Sequence, residues 1–527
     1  MDSPPALPTP QSPTGISKIK APSSEALANG PSLDTVMTPD GRLITAITPS
    51  PASSRPTTPE PGQTPNTPPK NATRHTRRHA RKSSFRSRTS PLDWETLTRE
   101  DNPMRGFFML FWMAMAAYMS SAFYQNWKIE GTPLRLRLMS SLSLDSGGLV
   151  LSDMALVGSM FVCVIIQKLL AWGWIPLSFS LPLHHIWQST WFATAVVWVF
   201  YKDWPWVQSG FFVLHSMSML MKQHSYMSSN NELHHKRRRL LKFQQKMDEI
   251  AGEMKKLDDA DQSGLEVLEL EWKYAHANAE ELQIELRKGG TTFPNNITFL
   301  NFADYLLVPT LVYELEYPRT DRIRPLYILE KFLGTLGTFM ILYVTIEHSI
   351  NPVLEQIPVM GFFDSLTQLL VPFMICYMLF FYIIFECICN GFAELSRFAD
   401  REFYEDWWNS ATFDEYARKW NKPVHEFLLR HVYLEGVTTY KLSRQNATFL
   451  TFFLSSCLHE LVMIVIGKKF RLYLFLMQMF QIPLIFVTRF LATKKRHRTA
   501  GNAFFWFGMF LGPPLLGVAY CREHFKV

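Results

Sequence analysis

The run Ala447–Ile466 is apolar except near its middle, where two titratable residues, His459 and Glu460, stand side by side. Ionisable groups inside a membrane-length apolar run are costly and mark cavities and reactions. Desolvation disfavours the imidazolium, so a histidine there stays neutral and can take a proton from a weak nucleophile. A structural histidine bonded to a neighbouring helix would occupy the same position. Glu460 lies about 100° round the helix from His459, which suits a tie to a neighbouring helix better than orienting the imidazole. Cys457 lies nearly opposite His459 and is a poor nucleophile candidate.

A second concentration of chemistry spans Arg401–Tyr433, REFYEDWWNSATFDEYARKWNKPVHEFLLRHVY. It is dense in Trp, Tyr, His and acidic residues. Aromatic residues crowd membrane interfaces, so an interfacial belt and a ligand site are both open readings. The six cysteines lie in or beside apolar segments and form neither a disulfide framework nor a zinc pattern. No metal site is apparent. The net charge of +7 comes largely from basic blocks beside apolar segments, so nucleic-acid binding is not needed to explain it.

Five ordered elements between residues 300 and 490 resemble the sterol and diacylglycerol branch of the membrane-bound O-acyltransferases. Phe403–Asn409 is similar to the FYxDWWN motif of that branch, and Trp420–Asn421 with Pro423–His425 to the WN-x-PVH element after it. Ser455–Glu460 resembles the SSxxHE signature around the catalytic histidine. Pro309–Arg319 and Gln478–Pro483 resemble the flanking PTL…YPR and Q-x-P stretches. His224–Tyr226 resembles the HSY of sterol acyltransferases, and Phe293–Thr298 (FPNNIT), Leu428–Tyr433 (LLRHVY) and Phe452–Glu460 look closest to the fungal sterol-esterifying subgroup. Pro513–Pro514 stands where the diacylglycerol branch carries a polar Gln, which counts against triacylglycerol synthesis.

The resemblance implies transfer of a long-chain acyl group from acyl-CoA to the 3β-hydroxyl of a sterol, with diacylglycerol as the alternative acceptor. It implies His459 as general base, with Asn421 either orienting the imidazole or donating to the oxyanion. Phe403, Tyr404, Asp406, Trp407, Trp408, Asn409, Trp420, His425 and Gln481 become the substrate-binding candidates. Among them, Tyr404 and Trp408 are expected to shape the thioester tunnel, Asp406 and Asn409 to fix its turn, and Gln481 to line the cavity. No cofactor is implied beyond acyl-CoA as co-substrate. Membrane lipids surround such an enzyme, and a homo-oligomer, dimer or tetramer, in the endoplasmic reticulum membrane is expected.

An all-α, polytopic membrane fold must position these groups. Apolar runs predict nine spans: Gly106–Tyr124, Met154–Trp174, Ile186–Tyr201, Trp206–Met221, Phe332–Ile346, Leu366–Phe385, Ala447–Ile466, Leu472–Thr488 and Ala503–Cys521. Seven Arg and Lys between Arg74 and Arg88 precede the first span, which predicts a cytosolic N-terminus. Alternation then puts residues 222–331 and 386–446 on the cytosolic side, together with the sequons at Asn71, Asn296 and Asn446. Lys468, Lys469 and Arg471 fall on the lumenal side, against the rule.

Residues 1–100 read as a disordered cytosolic tail, ahead of an acyltransferase domain over 101–527. Seventeen of the 33 prolines fall within the first 91 residues. Residues 222–293 contain no proline and read as a cytosolic helical hairpin broken near Asp258–Gly264.

Overall fold

The computed structural model describes residues 34–37, 43–46, 85–134, 139–140, 143–256, 262–491 and 498–524. Residues 1–76 and 77–527 form two compact units. Within the first, β1 (Asp34–Met37) and β2 (Leu43–Ala46) pair antiparallel, with Asp34 opposite Ala46. The Pro-rich composition gave no sign of this ladder.

The second unit is built almost wholly of helices. Among the described residues, six are long and apolar enough to cross a membrane: Arg105–Glu130, Ser146–Ala171, Pro325–Gln356, Phe362–Leu395, Arg444–Gly467 and Arg498–Arg522. They coincide with six of the nine predicted spans. The other three predictions also fall on helices, but on less apolar or shorter ones. The third lies in α1 (Ser180–Lys202), whose inner face carries the buried polar residues Ser180, His184 and Gln188. Those groups lower the mean hydropathy while finding partners inside; His184 Nε2 meets Gln167 Nε2 at 3.0 Å. The eighth is divided between α2 (Tyr473–Met479) and α3 (Gln481–Leu491).

The fourth prediction occupies only the start of α4 (Trp206–Met254), an unbroken helix of 49 residues. Charged residues replace apolar ones along it, but no Gly or Pro occurs from Phe211 to Ala251, so nothing stops the helix. The separate hairpin expected over 222–293 is therefore the outer part of this helix plus α5 (Gln262–Glu285) folded back on it. Ala275, Ala279 and Leu282 are buried. Lys236–Glu285 and Lys246–Glu271, each 3.0 Å, set the antiparallel register. The turn itself lies outside the described residues.

The assumed domain start at residue 101 cuts through packed structure. Residues 85–97 are fixed on the rest of the second unit, to which they belong: Arg88 N–H donates to Ala399 O at 3.0 Å and Arg88 O accepts from Arg401 N–H at 2.9 Å. The Arg88 guanidinium binds Asp400 at 2.6 Å and also Glu402. Ser90 and Asp93 are buried, bonded to Glu386 and Lys331 respectively. Burying these two polar groups is tolerated because each has a charged or hydrogen-bonding partner.

The sequons also differ in accessibility. Asn296 is buried, and its amide donates to Asn230 Oδ1 at 2.8 Å and to the Tyr313 hydroxyl at 3.0 Å, so it cannot report on sidedness. Asn446 is exposed in the first turn of α6 (Arg444–Gly467); Asn71 lies outside the described residues.

Candidate active site

His459 sits two turns from the end of α6 and is exposed. Its Nδ1–H donates to the carbonyl of Ser455 one turn earlier, at 2.8 Å. That bond sets the tautomer and leaves the Nε2 lone pair free to accept a proton. Glu460 turns the other way, as its place on the helix requires. It is buried and accepts from Leu472 N–H at 2.8 Å, Phe475 N–H at 2.9 Å and the Tyr520 hydroxyl at 3.2 Å. Glu460 thus caps α2 with a carboxylate and ties α6 to the C-terminal helix α7 (Arg498–His524). α6 also packs on α4, where a Cβ at Gly210 would stand 3.2 Å from Ile466.

The FYEDWWN segment folds as a tight turn ending in the short 3₁₀ stretch Trp407–Asn409. Asp406 and Asn409 make the turn as expected: Asn409 N–H donates to Asp406 O at 3.0 Å, and its amide reaches Asp406 Oδ2 at 3.4 Å. Asp406 also pairs with Lys419 at 2.7 Å. Burial raises the Asp406 carboxyl, but the Lys419 and Asn409 bonds outweigh it and hold it below its ordinary value. The turn is clamped from α7, where Asn502 Nδ2 donates to Trp408 O at 2.8 Å and to Ser410 O at 2.9 Å, and Trp506 Nε1 to Trp408 O at 3.1 Å. Gly501 makes this approach possible, since a Cβ there would lie 2.6 Å from Ala411 O.

The aromatic residues of the motif are packing elements. Trp407 is 0 % exposed and meets Trp420 edge-on at 5.0 Å, Phe381 at 5.3 Å and Trp506 at 5.7 Å. Trp420 stacks on Tyr377 at 4.8 Å. Phe403 is buried. Tyr404 is 0 % exposed; its hydroxyl donates to Glu386 and accepts from Leu92 N–H at 3.2 Å. Tyr404, expected to shape the thioester tunnel, is thus enclosed and anchors the turn to the 85–97 strap. Burial, then the Glu386 charge, pushes its phenol well above the ordinary value. Trp408 is half-buried and keeps an accessible edge.

Asn421 is the N-cap of α8 (Lys422–Leu428), its Oδ1 accepting from Val424 N–H at 3.2 Å, with Pro423 in the first turn. The cap leaves its amide hydrogens available. His425, one turn on, is half-buried; burial, then the Arg418 charge, lowers its pKa, so it is neutral at physiological pH. Gln481 opens α3 and donates to Gln478 Oε1 at 2.9 Å. Among the described residues, neither Asn421 nor Gln481 bonds to His459. The connection between the two helices is indirect: the π-helical segment Leu429–Leu434, continuous with α8, packs on α6.

Two features escaped the reading of the sequence. Ser410 Oγ, like Nε1 of the candidate Trp407, is buried and has no hydrogen-bond partner among the described residues, a condition that points to a ligand group or a water. The signal for Ser410 was its place immediately after the WWN triplet. His224, His431 and Glu435 also converge, with one ligand atom from each within 4.8 Å of the others. No local spacing announces that cluster, because His224 and His431 are 207 positions apart.

The arrangement supplies a proton acceptor on an apolar helix, amide hydrogens at a helix cap and a tightly held aromatic turn. Comparison with known proteins agrees. The profile of the family described as MBOAT, membrane-bound O-acyltransferase, matches residues 162–522. A probable sterol O-acyltransferase 1 of Schizosaccharomyces pombe is 34% identical over 79% of this chain and 81% of its own length. A probable sterol O-acyltransferase 2 of the same organism is 36% identical over 79% and 86%. A diacylglycerol O-acyltransferase 1B of Glycine max is 29% identical over 82% and 79%.

Proposed function

Because this chain belongs to the membrane-bound O-acyltransferase family, we propose that it is an acyl-CoA-dependent sterol O-acyltransferase that makes steryl esters for storage. The observation that carries the chemistry is the His459 tautomer. With Nδ1–H held by Ser455 O, Nε2 takes the proton of the sterol 3β-hydroxyl as that oxygen attacks the thioester carbonyl. The new C–O bond forms, the C–S bond breaks, and the CoA thiolate recovers the proton from His459, giving steryl ester and CoA.

His459 is already oriented by its own helix, which frees Asn421 from that task. Its amide hydrogens suit the oxyanion of the tetrahedral intermediate. Trp407 Nε1 and Ser410 Oγ are unsatisfied donors on the acyl-CoA side. Gln481 and His425 complete the cavity wall as neutral polar groups. No covalent acyl-enzyme is needed.

In this reading acyl-CoA enters from the cytosol and the sterol arrives sideways from the bilayer of the endoplasmic reticulum. The N-terminus is cytosolic and the enzyme a homo-oligomer. The exposed Asn446 tests the sidedness: a glycosidase-sensitive mobility shift lost in Asn446→Gln would put the aromatic turn in the lumen. The function is tested on purified protein with labelled oleoyl-CoA and either sterol or diacylglycerol. Ester should form on the sterol; preference for diacylglycerol would move the chain to the other branch. Cys457→Ala should keep most activity, and an acyl adduct trapped on Cys457 would refute direct transfer.

A further inference from the structure

We propose that His224, His431 and Glu435 bind a divalent d-block cation of the zinc type, which staples α4 to the segment that carries Asn421. The site is separate from His459 and goes beyond the acyl-transfer reading.

The three groups come from two elements. His224 projects from α4. His431 lies in the π-helical segment Leu429–Leu434 and Glu435 follows it. One ligand atom of each lies within 4.8 Å of the other two. His431 is buried and its partners are half-buried, so this is not a patch of solvated surface groups. π-Helical turns often occur at functional sites, where they re-aim a side chain out of α-helical register.

Hydrogen bonds to neighbouring side chains hold each of the three groups. Gln188 Nε2 donates to Met227 Sδ at 3.4 Å, which turns Gln188 Oε1 to His224 Nδ1 at 3.1 Å. A carbonyl oxygen there requires Nδ1–H on His224, leaving its Nε2 as a lone pair. Among the described residues that Nε2 has no hydrogen-bond partner. His431 Nε2 lies 2.8 Å from Ser225 Oγ, which leaves Nδ1 facing Glu435 Oε1 at 3.4 Å. Glu435 Oε1 accepts from Ser228 Oγ at 2.8 Å. Both imidazoles are thus held through the nitrogen away from the cluster, and the carboxylate by Ser228, the kind of supporting bond that accompanies metal-binding imidazoles and carboxylates.

Zn–N and Zn–O bonds of about 2.0–2.2 Å at tetrahedral angles put neighbouring ligand atoms about 3.4 Å apart. The His431–Glu435 separation of 3.4 Å, a long N–H···O contact as it stands, matches that spacing. Two imidazoles and one carboxylate suit zinc and its neighbours, whereas magnesium and calcium favour oxygen sets. Three protein ligands leave the fourth position for water.

The staple has a mechanical consequence. The His224 ring also contacts Phe427 at 5.9 Å, on the helix that Asn421 caps. A cation here fixes the far end of α8 against α4 and so limits where Asn421 stands.

The test is metal analysis of the purified full-length protein by mass spectrometry, before and after incubation with Zn²⁺ and gel filtration. The expected result is about one zinc per chain, falling on the order of tenfold or more in His224→Ala and Glu435→Ala. A monodisperse wild-type protein that holds less than about a tenth of an equivalent after zinc loading would overturn the proposal. Because the variants could fail to fold, X-ray absorption at the zinc edge of the wild-type protein supplies the independent readout. Nitrogen and oxygen neighbours near 2.0–2.1 Å support the site. Sulfur neighbours near 2.3 Å would place the ion on cysteine and refute it.

Discussion

The FYEDWWN turn and the face of α6 that bears His459 lie at opposite extremes of packing. The turn is over-determined: Trp407 touches aromatic rings from three other elements, Trp408 O accepts two hydrogen bonds, and Tyr404 is locked to Glu386. Among the described residues His459 bonds only to Ser455 of its own helix one turn back, through that residue's carbonyl and hydroxyl. Damage to the turn should therefore appear first as lost protein, whereas damage at His459 should appear as lost turnover in a protein that still folds.

His459→Ala breaks the comparison at its sparse end. Turnover should fall by about 10²–10⁴-fold with the unfolding temperature and acyl-CoA binding largely unchanged. Residual activity above about a tenth of wild type would remove His459 from the role of base. Trp407→Ala breaks the dense end. Removing a fully buried Trp costs about 3–5 kcal/mol, so folded yield and thermal midpoint should drop before any kinetic constant can be read. A stable, inactive Trp407→Ala protein would instead make the indole a substrate contact.

Gly501→Ala is subtler. Its Cβ would meet Ala411 O at 2.6 Å, a backbone atom that cannot swing aside, so α7 must shift from the turn at about 1–3 kcal/mol. Thermal shift should fall while His459-dependent chemistry persists in the surviving fraction; an unchanged midpoint would mean that α7 is not a clamp.

The smallest effect is in pH. His425 has its pKa lowered from 6.5 by burial, then by Arg418. As pH falls below that value the unfolded chain takes up a proton that the folded chain resists, so stability declines. His425→Gln should flatten the midpoint-versus-pH curve below about pH 6.5. An unaltered slope would assign the acid sensitivity elsewhere.

Features that depend on helical spacing were legible in the sequence. The outward swing of Glu460 from His459 needed only the angle per residue. The Asp406–Asn409 turn and the six most apolar spans were equally local. Long-range pairings left no such trace. Arg88 meets Asp400 across 312 positions and Ser90 meets Glu386 across 296, so a strap of the core looked like the end of a polar tail. The partners of Tyr404 were hidden for the same reason: aromatic composition does not tell a wall from an anchor until the partner is known. The length of α4 was missed because composition changes along it while backbone preference does not.

That helix is a rod. At about 1.5 Å per residue its 49 residues extend roughly 74 Å, more than twice the thickness of a bilayer's hydrocarbon core. With no glycine or proline from Phe211 to Ala251, it has no built-in hinge over that length. Its inner end abuts α6 at Gly210, and its outer end is braced by α5. The same continuous rod thus joins the bracing ion pairs with α5 at one end to α6, the helix that carries His459, at the other.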